Sequence, residues 1–327
     1  MTDPPDLSSW GLHCYCPEAR RTPHGLVAAS DNGKTLYAAR TGATQEQLGA
    51  TDFHLEALEQ AGLLERDGDR YVTSFPVIGS TDMTVLRAEL RELARSLVPA
   101  IATHSRRIAA ELDRRGIGQS AYALTFGYGL DLLLWEPLKA GGLLPDTALT
   151  PERPDWNGAF WAIHPPRADS GGTNFLDCGE GVTLVMIWSD ATASALDRFA
   201  MTPGIRDALR ELADDDLAPR SHRGSASSSM PWPLWLPDGR PGLPVVGTRG
   251  VLDDLARQVA APVIAVLAGD GANSARRLVP TQDRAVATVV VAHELIWEVA
   301  EQLIATGACP APASAADLTS HLFLLAT

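Results

Sequence analysis

Acids, a histidine and aromatic residues recur in this chain at positions where they could form a ligand pocket. Asp131 and His293 each stand one helical turn before a tryptophan, Trp135 and Trp297, and each tryptophan is followed by a glutamate, Glu136 and Glu298. A carboxylate and an imidazole held together can act as base and acid when their surroundings tune their pKa values. Tyr122, Phe126 and Tyr128, with the two tryptophans, would supply apolar walls. A few polar groups among aromatic walls is the composition that small-molecule pockets use. The candidate pocket is therefore Tyr122, Phe126, Asp131, Trp135, Glu136, His293, Trp297 and Glu298. The plainer reading places both tryptophans in the core and turns the glutamates after them to solvent.

His13, Cys14, Cys16 and His24 form the one sequence cluster with metal-ligand character. Structural zinc sites usually take Cys pairs two to four residues apart, and Cys-x-Cys is tighter than that. No second pair exists, because Cys178 and Cys309 stand alone, so no metal is expected. A Cys–His nucleophile would need an activating imidazole and an orienting carboxylate. His104, His164 and His293 are the candidates, with Cys178 downstream of His164, but no motif surrounds them and no catalytic residue is assigned. There is no GxGxxG after a strand, no Walker loop, no HExxH and no GxSxG, so no cofactor is expected.

The elements that must position these residues come in two sets. Phe75-Pro76-Val77-Ile78-Gly79-Ser80 reappears as Leu243-Pro244-Val245-Val246-Gly247-Thr248. Leu93-Ala94-Arg95, Arg114-Arg115 and Trp135-Glu136 then match Leu255-Ala256-Arg257, Arg276-Arg277 and Trp297-Glu298 in one ungapped register. Repeats of this kind point to an internal duplication. In the first set, Leu86, Leu90, Leu93, Leu97, Ile101, Ile108 and Leu112 recur at helical steps, predicting a long amphipathic helix over 81–115 kinked at Pro99. An almost wholly apolar helix is expected over 121–140. The second set repeats the helical pair over 251–267 and 283–306, after a helix over 205–212 and a Ser-, Trp- and Pro-rich stretch, Pro219–Pro241. Between the sets, Gly158–His164 and Val182–Trp188 read as two strands of one hairpin, joined by a loop over 167–181. Were the two sets to pack about a pseudo-twofold axis, the Trp-bearing helices would face one another around the pocket.

Ahead of the first long helix, Thr44–Gly49 reads as a short helix and Asp52–Ala61 as a second, with Thr51 or Asp52 as its N-cap and Gly62 as its stop. The turn Asp67-Gly68-Asp69 then joins two short strands. Helix, turn, helix and the wing GLLERDGDRYV resemble the winged-helix domain of bacterial regulators over about residues 40–78. In such domains the second helix enters the major groove with basic or amide side chains. Here it carries Asp52, His54, Glu56, Glu59 and Gln60, and the corresponding helix of the second set carries Asp207, Glu211 and Asp214–Asp216. DNA is therefore a disfavoured partner.

Composition is that of a folded chain, with 45% hydrophobic and 20% charged residues and a formal net charge of −13. Such a balance opposes non-specific attraction to phosphate backbones or anionic membranes. The opening MTDPPDLSSW lacks a basic stretch followed by an apolar run, and nothing approaches the ~18 apolar residues of a membrane span, so a cytoplasmic address without membrane association is expected. The expected fold is α+β and helix-rich, with tandem winged-helix-like modules, long helical pairs and a central β-hairpin. Its expected divisions are a module with helical pair over 1–145, a hairpin insertion over 146–200 and a degenerate second module over 201–327. The function expected is small-molecule binding, in a ligand-sensing regulator or a biosynthetic accessory protein, as a pseudo-symmetric monomer or a homodimer. The alternatives are an enzyme of specialised metabolism using the carboxylate and imidazole, and a sequence-specific DNA-binding regulator.

Overall fold

The computed structural model describes residues 3–167, 171–217, 236, 241–313 and 318–327. Strand β1 (Gly11–Tyr15) is followed by two short helices, α1 (His24–Val27) and α2 (Asn32–Ala39). Strand β2 (Ala43–Thr44) runs straight into α3 (Gln45–Leu48), whose start is fixed by a capping box. The Thr44 hydroxyl accepts from the Gln47 amide, and the Gln47 side chain accepts from the Thr44 amide. Two otherwise orphaned N–H groups are satisfied together in this way. Gly49, in the left-handed region with φ +62°, ends the helix. Thr51 then caps α4 (Asp52–Gln60) by accepting from the His54 amide. Strands β3 (Leu64–Asp67) and β4 (Arg70–Thr73) follow, and β2, β4 and β3 form an antiparallel sheet in that order. Leu55 and Leu58 bury the inner face of α4 in a cluster with Leu36, Leu63 and Tyr71.

Strand β5 (Val77–Ile78) leads into α5 (Ser80–Arg115), 36 residues long with Pro99 inside it. Its buried stripe is Leu86, Leu90, Ala94, Leu97, Ile101, Ile108 and Leu112. The next helical stretch departs from a regular α-helix. Ala123–Leu132 is wound as a π-helix before α6 (Leu133–Ala140) resumes normal geometry. Ten residues is long for a conformation usually confined to a single turn. Two glycines serve it here. A Cβ on Gly127 would lie 2.3 Å from Ile187 Cδ1, and one on Gly129 would lie 2.9 Å from Val259 Cγ1. Strand β6 (Ala159–Ile163) returns to pair antiparallel with β1 and parallel with β5, giving a sheet ordered β1-β6-β5.

The expected hairpin between Gly158–His164 and Val182–Trp188 does not form. The stretch expected as its loop contains β7 (Gly171–Gly179), and it is β7 that pairs with β8 (Val182–Ser189). As an edge strand, β7 is paired on one side only and keeps Asn174 and Phe175 exposed. An edge strand does not need the apolar pattern that reveals a buried one. Helices α7 (Ala193–Ala200) and α8 (Ile205–Leu217) cover this sheet with Leu196, Phe199, Leu209 and Leu212. The Pro219–Pro241 stretch, expected as a degenerate wing, lies outside the described residues apart from Leu236 and Pro241. Then come β9 (Val245–Gly247), α9 (Val251–Ala268), the four-residue α10 (Asn273–Arg276), α11 (Arg284–Ala305) and β10 (Leu322–Ala326). The third sheet is ordered β7-β8-β10-β9, with β10 antiparallel to β8 and parallel to β9.

The β1-β6-β5 and β7-β8-β10-β9 sheets therefore each contain a strand that leads into long helices and a later strand that returns parallel beside it. Trp135 lies in α6 and Trp297 in α11, the last α-helix of each run before its returning strand. The fold is α+β. Its compact units are interleaved along the chain. One comprises Met1–Glu92, Leu138–Ala168 and Leu267–Leu295, and the other Leu93–Pro137, Asp169–Val266 and Ile296–Thr327. The first unit thus holds the β1-β6-β5 sheet with the beginning of α11, and the second holds the β7-β8-β10-β9 sheet with the π segment.

Candidate functional site

In the antiparallel β1-β6 ladder, His13 stands directly opposite Trp161. Alternation sends Leu12 and Cys14 of β1 and Phe160 and Ala162 of β6 to one face, into the cluster beneath α4. His13 and Trp161 point to the other face and stack with ring centroids 5.5 Å apart. His293 of α11 completes the group, 4.5 Å from the His13 ring and 5.2 Å edge-on from the Trp161 ring. The next residue, Glu294, is fully buried. Its Oε1 lies 3.2 Å from His293 Nδ1, and its Oε2 accepts from Arg87 Nε and Arg167 Nε, both at 3.1 Å. Every one of these residues belongs to the first compact unit.

A carboxylate in such a place would be expected to protonate, because burial disfavours its charge. Burial does act on Glu294 in that sense. The hydrogen bond with His293 and the charges of Arg167, His293 and Arg87 overcome it and hold the carboxyl well below the usual range. The opposite balance governs His13. Burial, reinforced by the charge on His293, pushes its pKa down to about 3, so the ring is neutral. Three atoms of the group are buried without a hydrogen-bond partner: His13 Nε2, Arg87 Nη2 and Trp161 Nε1. Buried polar atoms are normally satisfied, so three around one ion-paired carboxylate set this cluster apart.

The residues expected to form a pocket fall in two places. Tyr122 and Phe126 of the π segment stack at 5.4 Å, and Phe126 lies 4.5 Å from the Trp297 ring. Asp131 accepts from Trp135 Nε1 at 3.2 Å and from Thr173 Oγ1 at 2.8 Å. Glu298 is buried and Glu136 is exposed on α6. All of these lie in the second unit, whereas His293 lies in the first, with Glu294 as its carboxylate. Tyr128 of the same π segment donates to Asp253 at 2.5 Å, and Asp253 also accepts from Arg257 Nε at 3.0 Å. Burial, with Asp253 as acceptor, pushes the Tyr128 phenol up, so the group holds its proton.

No protein-family model, curated protein or solved structure matches this chain.

Sequence reasoning missed Trp161, Glu294, Arg87 and Arg167, and set His13 among metal ligands. One signal was visible: Glu294 interrupts the apolar run Val289–Ile296 with a charge. A buried acid needs partners, and Arg87 and Arg167 supply them from far away in the chain. The sequence cluster itself disperses. His24 bonds through Nε2 to the Leu12 carbonyl at 3.0 Å, and Cys16 donates to the Ala159 carbonyl at 3.4 Å. The hydrogen bond with Cys16 lowers the Cys14 thiol and raises that of Cys16. Among the described residues no group of three or more His, Cys, Asp or Glu side chains could hold a metal ion. A separate cleft of about 540 Å³ is lined by Thr44, Gln45, Glu46, Arg66, Asp69 and Tyr71, and so includes none of the cluster.

Proposed function

We propose that this chain is a small-molecule-binding protein made of two duplicated, winged-helix-like halves, and that the ligand is held at the His13–Trp161–His293–Glu294 cluster. A ligand-sensing regulator or a biosynthetic accessory protein would use such a site. The reading rests on one observation: His13 Nε2, Arg87 Nη2 and Trp161 Nε1 are all buried and unpartnered beside a carboxylate that two arginines already neutralise. The order α2, β2, α3, α4, β3, β4 supports the winged-helix likeness, and α4 argues against DNA as its partner. The side chains that α4 exposes include Asp52, Phe53, Glu56 and Gln60, so acids stand where phosphates would lie. A DNA fragment should therefore migrate unretarded with this protein at moderate salt. Retardation specific to one sequence would overturn that expectation.

The test of binding is a thermal-shift and calorimetric screen of small metabolites against the purified protein. At least one compound should bind saturably, and the variant Trp161→Phe should weaken it. Absence of saturable binding throughout the screen would remove the reading. A second reading, an enzyme, is favoured by one specific contact. Glu294 holds His293 through Nδ1, which is how a carboxylate orients an imidazole whose Nε2 is to act as a base. Under that reading His293→Ala abolishes turnover of the bound compound while binding persists.

A further inference from the structure

We infer that the group recognised at this cluster is a carboxylate on a small molecule, received by the Arg87 and Trp161 N–H groups with His13 beside them. The inference rests on the ligand-binding reading above and specifies its chemistry. Arginine and tryptophan side chains donate hydrogen bonds and accept none. The two atoms left unspent, Arg87 Nη2 and Trp161 Nε1, therefore require acceptors. Two arginines against the one carboxylate of Glu294 leave a formal charge of +1, which a carboxylate balances, whereas a phosphate dianion would bring a further charge.

Charge points the same way. Arg87 spends its Nε on Glu294, a carboxylate that Arg167 also bonds, so part of its guanidinium remains for a second anion. The neutral His13 ring adds a nitrogen that can donate or accept according to its tautomer, and burial keeps that ring uncharged. The rings of His13, Trp161 and His293 pack on one another beside these donors, so the surroundings of the bound group are aromatic and mainly apolar. A carboxamide of the same shape fits poorly, because its NH₂ would meet a donor with a donor.

The experiment compares matched probes, acetate with acetamide and benzoate with benzamide, on the full-length protein at neutral pH. The indole N–H resonance of Trp161, identified by its loss in Trp161→Phe, is followed by NMR during titration. At least one carboxylate should shift it saturably, with its amide at least tenfold weaker. Arg87→Gln and Trp161→Phe should each weaken the carboxylate about tenfold or more. Arg87→Gln keeps the indole N–H, so its effect can be read on the same resonance should Trp161→Phe fold poorly. If acid and amide shift the resonance with equal affinity, the ligand site stands and the carboxylate assignment falls. If neither probe moves the resonance while the broader screen finds a ligand, the carboxylate assignment falls alone. Failure of both screens removes the site as well.

Discussion

Glu294 illustrates how a buried acid is kept charged. Its cost of desolvation is met by two guanidiniums and an imidazole, and the group is intolerant of losing its charge. Glu294→Gln would leave Arg87 and Arg167, both largely buried, facing a neutral amide. We expect about 3–5 kcal/mol of destabilisation, measured by urea unfolding, since that is the usual effect of removing one member of a buried ion pair. The same residues set a pH dependence. His13 ionises near 3 in the folded protein and near 6.5 when unfolded, so below pH 6.5 the unfolded chain binds a proton that the native one refuses. Stability should fall as pH drops from 6.5 towards 3, by up to about 1.4 kcal/mol per pH unit from this residue. His24, also lowered by burial, acts in the same direction. Glu294 adds its own loss only below the ordinary carboxylate value near 4.5, because its pKa is depressed. Unfolding titrations at pH 6.5 and pH 5 should show a smaller difference in His13→Phe than in the parent protein. An equal difference would show that His13 is not held neutral.

The π-wound stretch is the element whose geometry is most dependent on residue choice. With ten residues in i→i+5 winding and glycine at 127 and 129, it approaches Ile187 and Val259 closely in the second unit. Gly127→Ala forces a methyl onto Ile187, whose Cδ1 and Cγ1 lie 2.3 and 2.6 Å from the new atom. Overpacking of this kind costs about 1–3 kcal/mol. Trimming the obstacle in Gly127→Ala/Ile187→Val should recover part of the loss. Gly25→Ala in α1, where a Cβ meets nothing within 4 Å, should change the unfolding midpoint little and serves as the control. Equal effects of the two alanines would show that the close approach is not what requires glycine. The sheets show a comparable dependence on partners. Strand β6 carries Phe160 and Ala162 to one cluster and Trp161 to another, so a one-residue slip would exchange them.

At the scale of the whole chain, the interleaving of the units has a direct consequence. The first unit needs residues 267–295 and the second needs 93–137, so neither end of the chain contains a complete unit. Expressed alone, fragments 1–217 and 241–327 should each lack cooperative unfolding. Co-expressed, they should associate and recover it, as read by calorimetry and size-exclusion chromatography. A cooperative transition in 1–217 alone would show that the beginning of α11 is dispensable to the first unit. The exchange also explains why His293 and its helix-mate Trp297 serve different places, although they are one turn apart on α11.

Local physics was legible in the sequence. Helical spacing of leucines marked α5, Thr51 and Gly62 marked the ends of α4, and Asp67-Gly68-Asp69 marked the turn between β3 and β4, because each depends on residues a few positions apart. The matched Pro-Val-Ile-Gly and Pro-Val-Val-Gly segments, read from the sequence only as a repeat, each hold a short strand that leads into a helix. What escaped was settled by distant pairing. Edge strand β7 had no apolar pattern to betray it, and β6 found β1 and β5 instead of β8. The partners of His293 were hidden for the same reason. Spacing set Asp131 in the matching position of the other copy, but the rings of His13 and Trp161 meet His293 only because α11 packs on the β1-β6 ladder. Periodicity tells which face of an element is buried, and the tertiary fold alone decides what lies against it.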